Sequence, residues 1–336
     1  MAKGELVCVT GASGFVASHL VALLLREGYR VRATVRSIKD AKKTAHLRRL
    51  PGASERLELV ECDLMKEGSF DRAVLQCSGV FHTASPFFFA KGNEDPERTL
   101  VRPAVQGTTN VLASCLKAGE TLKRVVLTSS VAAVSGATNV EGTIDESQWN
   151  TTSTLEKGAY LLSKTLAERA AWDFIEKNKP HWSLVVVNPV MVIGPGLNRF
   201  ESKEEVNTSS GIILSMIDGS MPQIPSGGLS FVDVRDVALG HLRAYERKEA
   251  EGRYLLSEST ETYETVADRL KKQFPQHRVV TKKPSRKTPV TVVKNEKSVR
   301  ELGISYIPLD VSLRDTAQQL IDDGLVKSEN GPKSHL

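Results

Sequence analysis

Short apolar runs rich in Val and Leu recur along the chain, and between them apolar residues return at every third or fourth position. Leu6–Val9 is the first run, followed by Val16, Leu20, Leu23 and Leu24 at helical spacing. Further runs fall at 29–36, 57–60, 80–84, 124–128 and 184–188, each separated from the next by a helix-period stretch. Runs that are apolar on both faces suit strands covered from both sides. This alternation predicts an α/β fold of the Rossmann type, a doubly wound parallel sheet with helices on both faces, whose ligands bind at the carboxyl ends of the strands.

The first strand and helix meet at Val9-Thr10-Gly11-Ala12-Ser13-Gly14-Phe15-Val16-Ala17. Gly11 permits a tight bend, Gly14 lets backbone amides approach phosphate oxygens, and the small Ala17 lets helix and strand pack closely. The helix amino terminus then faces an anion. Gly11, Ser13, Gly14, Phe15 and Val16 are the expected diphosphate cradle, although the spacing is G-x-x-G-x-x-A and not G-x-G-x-x-G. The second strand ends at Arg36 and Ser37, with Lys42 and Lys43 just beyond, where an NAD site would carry a carboxylate for the ribose 2′-hydroxyl. Cations there suit a 2′-phosphate, so the expected cofactor is NADPH/NADP+; the plainer alternative is ordinary solvated cations. Asp63, followed by Leu64, sits where an adenine amino group could be met, or is a turn acid.

At 336 residues the chain is long enough for one large unit or two lobes around a cleft. The expected division is a nucleotide domain over 1–190, rejoined by a helix around 233–247, a smaller substrate lobe from 191–232 and 253–326, and a flexible tail over 327–336. The net charge of +5 is dispersed, and its densest stretch, 278–297, is broken by apolar residues and prolines. That argues against a nucleic-acid partner. Cys8, Cys62, Cys77 and Cys115 show no paired spacing and read as reduced. With no signal-like amino terminus and no apolar run long enough to span a bilayer, the expected location is cytoplasmic, without membrane association. Ser334-His335-Leu336 is a permitted variant of the peroxisomal tripeptide and keeps that compartment open.

Tyr160 and Lys164 are four apart, so on a helix they project from one face toward one bound group. An ammonium about 5 Å from a phenol favours the phenolate by about 2 pKa units at an effective dielectric of about 20. Ser130, ending the fifth strand, would donate to the same substrate oxygen. The alternative is a half-buried tyrosine beside a snorkelling lysine. His82 lacks a partner at ligand spacing and reads as structural, Asp145 and Glu146 read as solvent-facing loop acids, and no metal site is expected.

Taken together, these motifs resemble the extended short-chain dehydrogenases/reductases, in the group of dihydroflavonol reductase, cinnamoyl-CoA reductase and yeast methylglyoxal/isovaleraldehyde reductase. The likeness also rests on residues 81–86, Leu127-Thr128-Ser129-Ser130, Leu166-Ala167-Glu168, Asn188-Pro189-Val190 and residues 231–238. It implies a catalytic triad of Ser130, Tyr160 and Lys164, with Lys164 also holding the nicotinamide ribose. It implies 2′-phosphate contacts from Arg36 and Lys43, and cofactor contacts from Thr83, Ala84, Ser85, Pro189 and Val192. The activity implied is NADPH-dependent reduction of an aldehyde or ketone with an apolar substituent, Tyr160 giving the proton. Phe87, Val131 and Ala132 would line the substrate pocket, with Met216 and Met221 further out. Ser135 departs from the dihydroflavonol reductases' asparagine, and residues 158–164 depart from the cinnamoyl-CoA reductases' pattern. Those two activities, a nucleotide-sugar epimerase or dehydratase, and a non-enzymatic NADP(H)-binding regulator are the alternatives. The expected partner is a small carbonyl compound, and the expected state a monomer or homodimer.

Overall fold

The computed structural model describes residues 4–85, 95–136 and 142–327. Within them twelve strands alternate with ten α-helices. Through the first half run β1 (Leu6–Val9), α1 (Phe15–Arg26), β2 (Arg30–Val35), α2 (Ala41–Arg48), α3 (Ala53–Arg56), β3 (Leu57–Glu61), α4 (Asp71–Val74), β4 (Gly79–His82), α5 (Arg102–Leu116), β5 (Arg124–Thr128), β6 (Gly142–Ile144) and α6 (Ala159–Asn178). Next come β7 (Ser183–Pro189), β8 (Met191–Ile193), α7 (Thr208–Ile217), β9 (Gly228–Asp233), α8 (Val234–Glu246), β10 (Gly252–Leu256), β11 (Ser259–Thr262), α9 (Tyr263–Gln273), β12 (Thr291–Val293) and α10 (Leu309–Asp322).

Seven strands form one parallel sheet in the order β10-β7-β5-β4-β1-β2-β3. Side chains alternate across a strand, so each apolar run feeds two cores. Val7, Val9, Val126, Val185 and Val187 pack on one face with α1 and α8. Cys8, Val125, Leu127, Leu184 and Val186 pack on the other with α5 and α6. The order reverses between β1 and β4, and a doubly wound sheet opens a ligand crevice at such a point.

A second core gathers Ile193, Phe231, Ile213, Leu270 and Leu313 from β8, β9, α7, α9 and α10 around the three-stranded sheet β11-β9-β8. Met216 belongs to this core and is fully buried, which removes it from the expected pocket lining. The chain passes from the large sheet into this region at Pro189 to Met191, and α8 packs back onto α1. The basic stretch 278–297 supplies the edge strand β12, which pairs with β6. All four cysteines are buried and unpaired. Among the described residues no helix is long and apolar enough to cross a membrane. Phe87, the neighbouring residues 88–89 and the carboxyl-terminal tripeptide lie outside the described residues.

Candidate active site

The turn after β1 is built from the inside. Gly11 has φ +64°, and a Cβ there would stand 2.9 Å from Ala84 Cβ, so the position excludes a side chain on both counts. Gly14 has an ordinary φ of −74°, but a Cβ would press to 3.2 Å of the Gly11 carbonyl. It opens α1 without a side-chain cap, which leaves the first-turn N–H groups for an anion. Thr10 ties this turn to the end of β4: its hydroxyl accepts from Ala84 N (3.0 Å) and pairs with His82 Nδ1 (2.9 Å), while Thr83 donates to its carbonyl. Gly11 N donates to Thr34 Oγ1 at 3.2 Å.

Beside the turn lies a cleft of about 490 Å³, within the range of small-ligand sites. Gly11, Ser13, Gly14, Arg36, Asp63, Leu64, Thr83, Ala84 and Ser85 line it, as the sequence leads one to expect of cofactor contacts. Thr34, Val35, Cys62, Met65, Phe70, Thr99 and Pro103 complete the wall without any sequence signal that marks them. Phe15 and Val16 open α1, Lys43 lies exposed on α2, and Pro189 and Val192 flank the crossing from β7 to β8. Lys42 departs from the phosphate reading. Its ammonium is held by Glu201 Oε2 (2.7 Å) and Glu205 Oε1 (3.2 Å). Asp63 lines the cleft and also serves as a turn acid, accepting from Met65 N at 2.9 Å.

Ser130, Tyr160 and Lys164 meet at the carboxyl end of the sheet. Ser130 follows β5 and caps a short 3-10 turn, Val131–Ala133, accepting from Ala132 N at 3.2 Å. Val131 stands partly buried on that turn, and Ala132 is 6 % exposed. Gly158, at φ +95°, is the N-cap of α6, two residues before Tyr160. The Ser130 hydroxyl hydrogen-bonds the Tyr160 phenol, and Lys164 Nζ stands 5.8 Å from the Tyr160 ring centre. Lys164 Nζ donates to Ser85 Oγ at 2.9 Å, and Ser85 also lines the cleft. One hydroxyl therefore joins the cleft to the Ser130, Tyr160 and Lys164 cluster.

The expected acidification of Tyr160 does not occur. Burial pushes its phenol up to about 12 against the opposing hydrogen bond from Ser130. Burial likewise pulls the Lys164 ammonium down to about 8. Desolvation of each charged form outweighs their mutual field at this separation. His82 is buried and held neutral by burial, with Lys164 adding to the effect, at a value of about 3, which suits its structural reading. Asp145 is a loop acid whose carboxylate accepts from Ser147 N (3.0 Å) in an exposed turn, whereas Glu146 is half-buried and accepts from Leu255 N (3.0 Å) of β10. No metal-binding cluster occurs among the described residues.

Behind these three residues lies a network that joins motif residues Ser129, Glu168 and Asn188, to which the sequence assigned no role, to Arg253, which no motif marks. Glu168, one turn after Lys164, accepts from Ser129 Oγ (2.5 Å), Asn188 Nδ2 (2.7 Å) and Arg253 Nε (2.6 Å). Asn188 Nδ2 also donates to the Ser130 carbonyl at 3.1 Å. Trp149 lies beneath the Arg253 guanidinium, 4.0 Å from ring centre to Cζ.

The chain belongs to the NAD dependent epimerase/dehydratase family, matching it over residues 7–256. Within it, cinnamoyl-CoA reductase CAD2 of Medicago truncatula is 44% identical over 324 residues, covering 94% of this chain and 96% of that protein. Tetraketide alpha-pyrone reductase 1 of Arabidopsis thaliana is 39% identical over 332 residues, covering 97% and 98%. Among solved structures, yeast methylglyoxal/isovaleraldehyde reductase Gre2 complexed with NADPH superposes with a TM-score of 0.85 at 35% identity, covering 96% of this chain and 100% of that one. With relatives of this kind along nearly its whole length, the chain is an oxidoreductase of the reductase type.

Proposed function

We propose that the protein is an NADPH-dependent carbonyl reductase that converts an aldehyde or ketone bearing an apolar substituent to the alcohol. The observation that carries this reading is the Lys164 to Ser85 hydrogen bond, which sets Ser130, Tyr160 and Lys164 against the wall of the cleft beside the glycine turn. The cleft fits the cofactor: the turn on its wall packs too tightly for a Cβ at Gly11 or Gly14, which keeps its backbone amides open to a diphosphate, and the exposed Arg36 on the same wall suits a 2′-phosphate. NADPH supplies the hydride when bound. Gly11, Ser13 and Gly14 hold its diphosphate, Arg36 and Lys43 its 2′-phosphate, and Lys164 the nicotinamide ribose.

Ser130 and Tyr160 aim their hydroxyls at the substrate carbonyl oxygen. Tyr160 transfers its phenolic proton to that oxygen as negative charge grows there, and a group with a pKa of about 12 stays protonated until then. Val131 and Ala132, beside Ser130, present an apolar wall to the substituent. The β8–β9 and α7–α9–α10 region forms a second lobe that completes the pocket.

The test follows NADPH absorbance with a panel of aldehydes, ketones and acyl-CoA thioesters. Tyr160→Phe is expected to lower kcat by about 10² to 10⁴ with NADPH binding kept, as for loss of a general acid. Unimpaired turnover would remove Tyr160 from the mechanism. The thioester arm addresses a second reading, favoured by the 44% identity to a cinnamoyl-CoA reductase. Tightly held NAD co-purifying with the protein, and no net NADPH oxidation, would mark an epimerase instead.

A further inference from the structure

Two buried amide side chains grip the main chain on either side of the Ser130 hydroxyl. Asn188, fully buried at the end of β7, donates from Nδ2 to the Ser130 carbonyl at 3.1 Å. Asn150, 6 % exposed, donates from Nδ2 to the Ala132 carbonyl at 3.0 Å, and its backbone N–H donates to the Ala133 carbonyl at 3.0 Å. The sheet does not reach this far. Ser129 N still donates to Val187 O at 2.8 Å, but Pro189 has no N–H with which to carry the pairing of β5 and β7 onward. Ser130 therefore leaves the sheet with its carbonyl held by Ala133 N inside the 3-10 turn (2.9 Å) and by Asn188 from outside it.

Both arms end on one buried cation, Arg253 of β10. Asn188 Nδ2 also donates to Glu168 Oε2 (2.7 Å), and Glu168 Oε1 accepts from Arg253 Nε (2.6 Å). On the other side the same guanidinium donates from Nη1 to the carbonyls of Glu146 (3.0 Å) and Gln148 (2.5 Å) and stacks at 4.0 Å on Trp149, the residue before Asn150. The Asn150 amide is fixed in turn, its Oδ1 accepting from Thr152 N and Ser153 N at 3.2 Å each.

We propose that Asn188 and Asn150 are positioning residues of the reductase site, two arms anchored on Arg253 that set the main chain of Ser130 and hence the place of its hydroxyl. The proposal rests on the carbonyl-reductase reading above. Ser130 Oγ accepts from Ala132 N and hydrogen-bonds the Tyr160 phenol, so the hydroxyl moves with the turn that carries it. A hydroxyl that must meet one substrate oxygen tolerates little displacement.

The experiment is a double-mutant cycle on turnover, using a carbonyl compound that the wild-type protein reduces. Asn188→Ala is expected to lower kcat by about 10- to 100-fold, as for a displacement of about 1 Å at a reacting group, and to leave NADPH binding within about twofold. Ser130→Ala has no hydroxyl left to place, so adding Asn188→Ala to it should lower the remaining kcat by less than about threefold. An equal factor in the two backgrounds, or no loss in either, overturns the proposal, because a merely structural role does not depend on the Ser130 hydroxyl. Asn150→Ala goes through the same cycle, and each residue stands or falls by its own result. Where one variant does not fold, the other decides. A crystal structure of the folded, cofactor-free variant gives a readout independent of turnover: Ser130 Oγ should stand about 1 Å from its wild-type place, and an unmoved hydroxyl overturns the proposal. Wild-type protein that reduces no carbonyl would defeat the reductase reading, while that displacement would still decide whether the amides hold Ser130.

Discussion

At Tyr160 and Lys164 the spacing of four correctly brings two side chains to one place, but distance alone misjudges the energetics. Both polar ends are shielded from water, and burial penalises phenolate and ammonium alike, so the pair stands at about 12 and about 8. The proposed reduction needs the phenol protonated and the ammonium charged. As pH rises through about 8, Lys164 is the first of the two to lose its proton. The rate of carbonyl reduction should therefore be level below that value and fall above it. A pH profile of kcat/KM that keeps rising past about pH 9 would contradict this. Gly11 makes a second prediction at this scale. Its left-handed φ and the 2.9 Å approach to Ala84 mean that Gly11→Ala should destabilise the protein by about 1 to 3 kcal/mol and weaken NADPH binding, read by thermal unfolding and fluorescence titration.

Among the elements, the strands were legible because each is an apolar run closed by polar or turn residues. Leu6–Val9 and Arg124–Thr128 coincide with the runs read from the sequence. β4 stops at His82 and not at residue 84, because Ala84 N turns to the Thr10 hydroxyl instead of the ladder. Nothing in the local pattern of residues 80–84 reports that long-range bond. The α2 region shows the same limit. Arg36 and Lys42 are both exposed cations near the end of β2, yet Arg36 lines the cleft and Lys42 reaches across to Glu201 and Glu205. Arg36→Ala should raise the NADPH KM about tenfold or more, as for loss of a charged hydrogen bond, and Lys42→Ala should leave it within about twofold. Equal effects in steady-state kinetics would contradict this division of roles.

Across the whole molecule, charge burial distinguishes two positions. Arg253 on the outermost strand neutralises Glu168 behind the triad, so Arg253→Met leaves an uncompensated buried carboxylate. A loss of about 3 to 5 kcal/mol in denaturant unfolding is expected. Asp236 opens α8 and accepts from Ile307 N (2.8 Å) in the segment leading to α10. Burial, with Asp233 and Glu258 adding to it, raises its carboxyl to about 6 against the pull of Ile307 N and Arg235. A folded pKa above the unfolded value means that the folded state is penalised as pH rises from about 4 to about 6. Asp236→Asn should consequently stabilise the protein at pH 8 by no more than about 3 kcal/mol and leave it unchanged at about pH 4, read by thermal unfolding at the two values.

Local sequence was enough to specify the parallel sheet, the glycine turn, the cationic end of β2 and the residues that meet at the triad. Each of these is written in local period, in a backbone angle only glycine tolerates, or in spacing along one helix. Other features arise only in the folded chain. Folding selects which of two neighbouring cations serves the cleft, makes His82 neutral, and joins Glu168 to Arg253 across 85 positions of chain. Those outcomes depend on burial and on partners distant in sequence, and both come into being only when the chain closes.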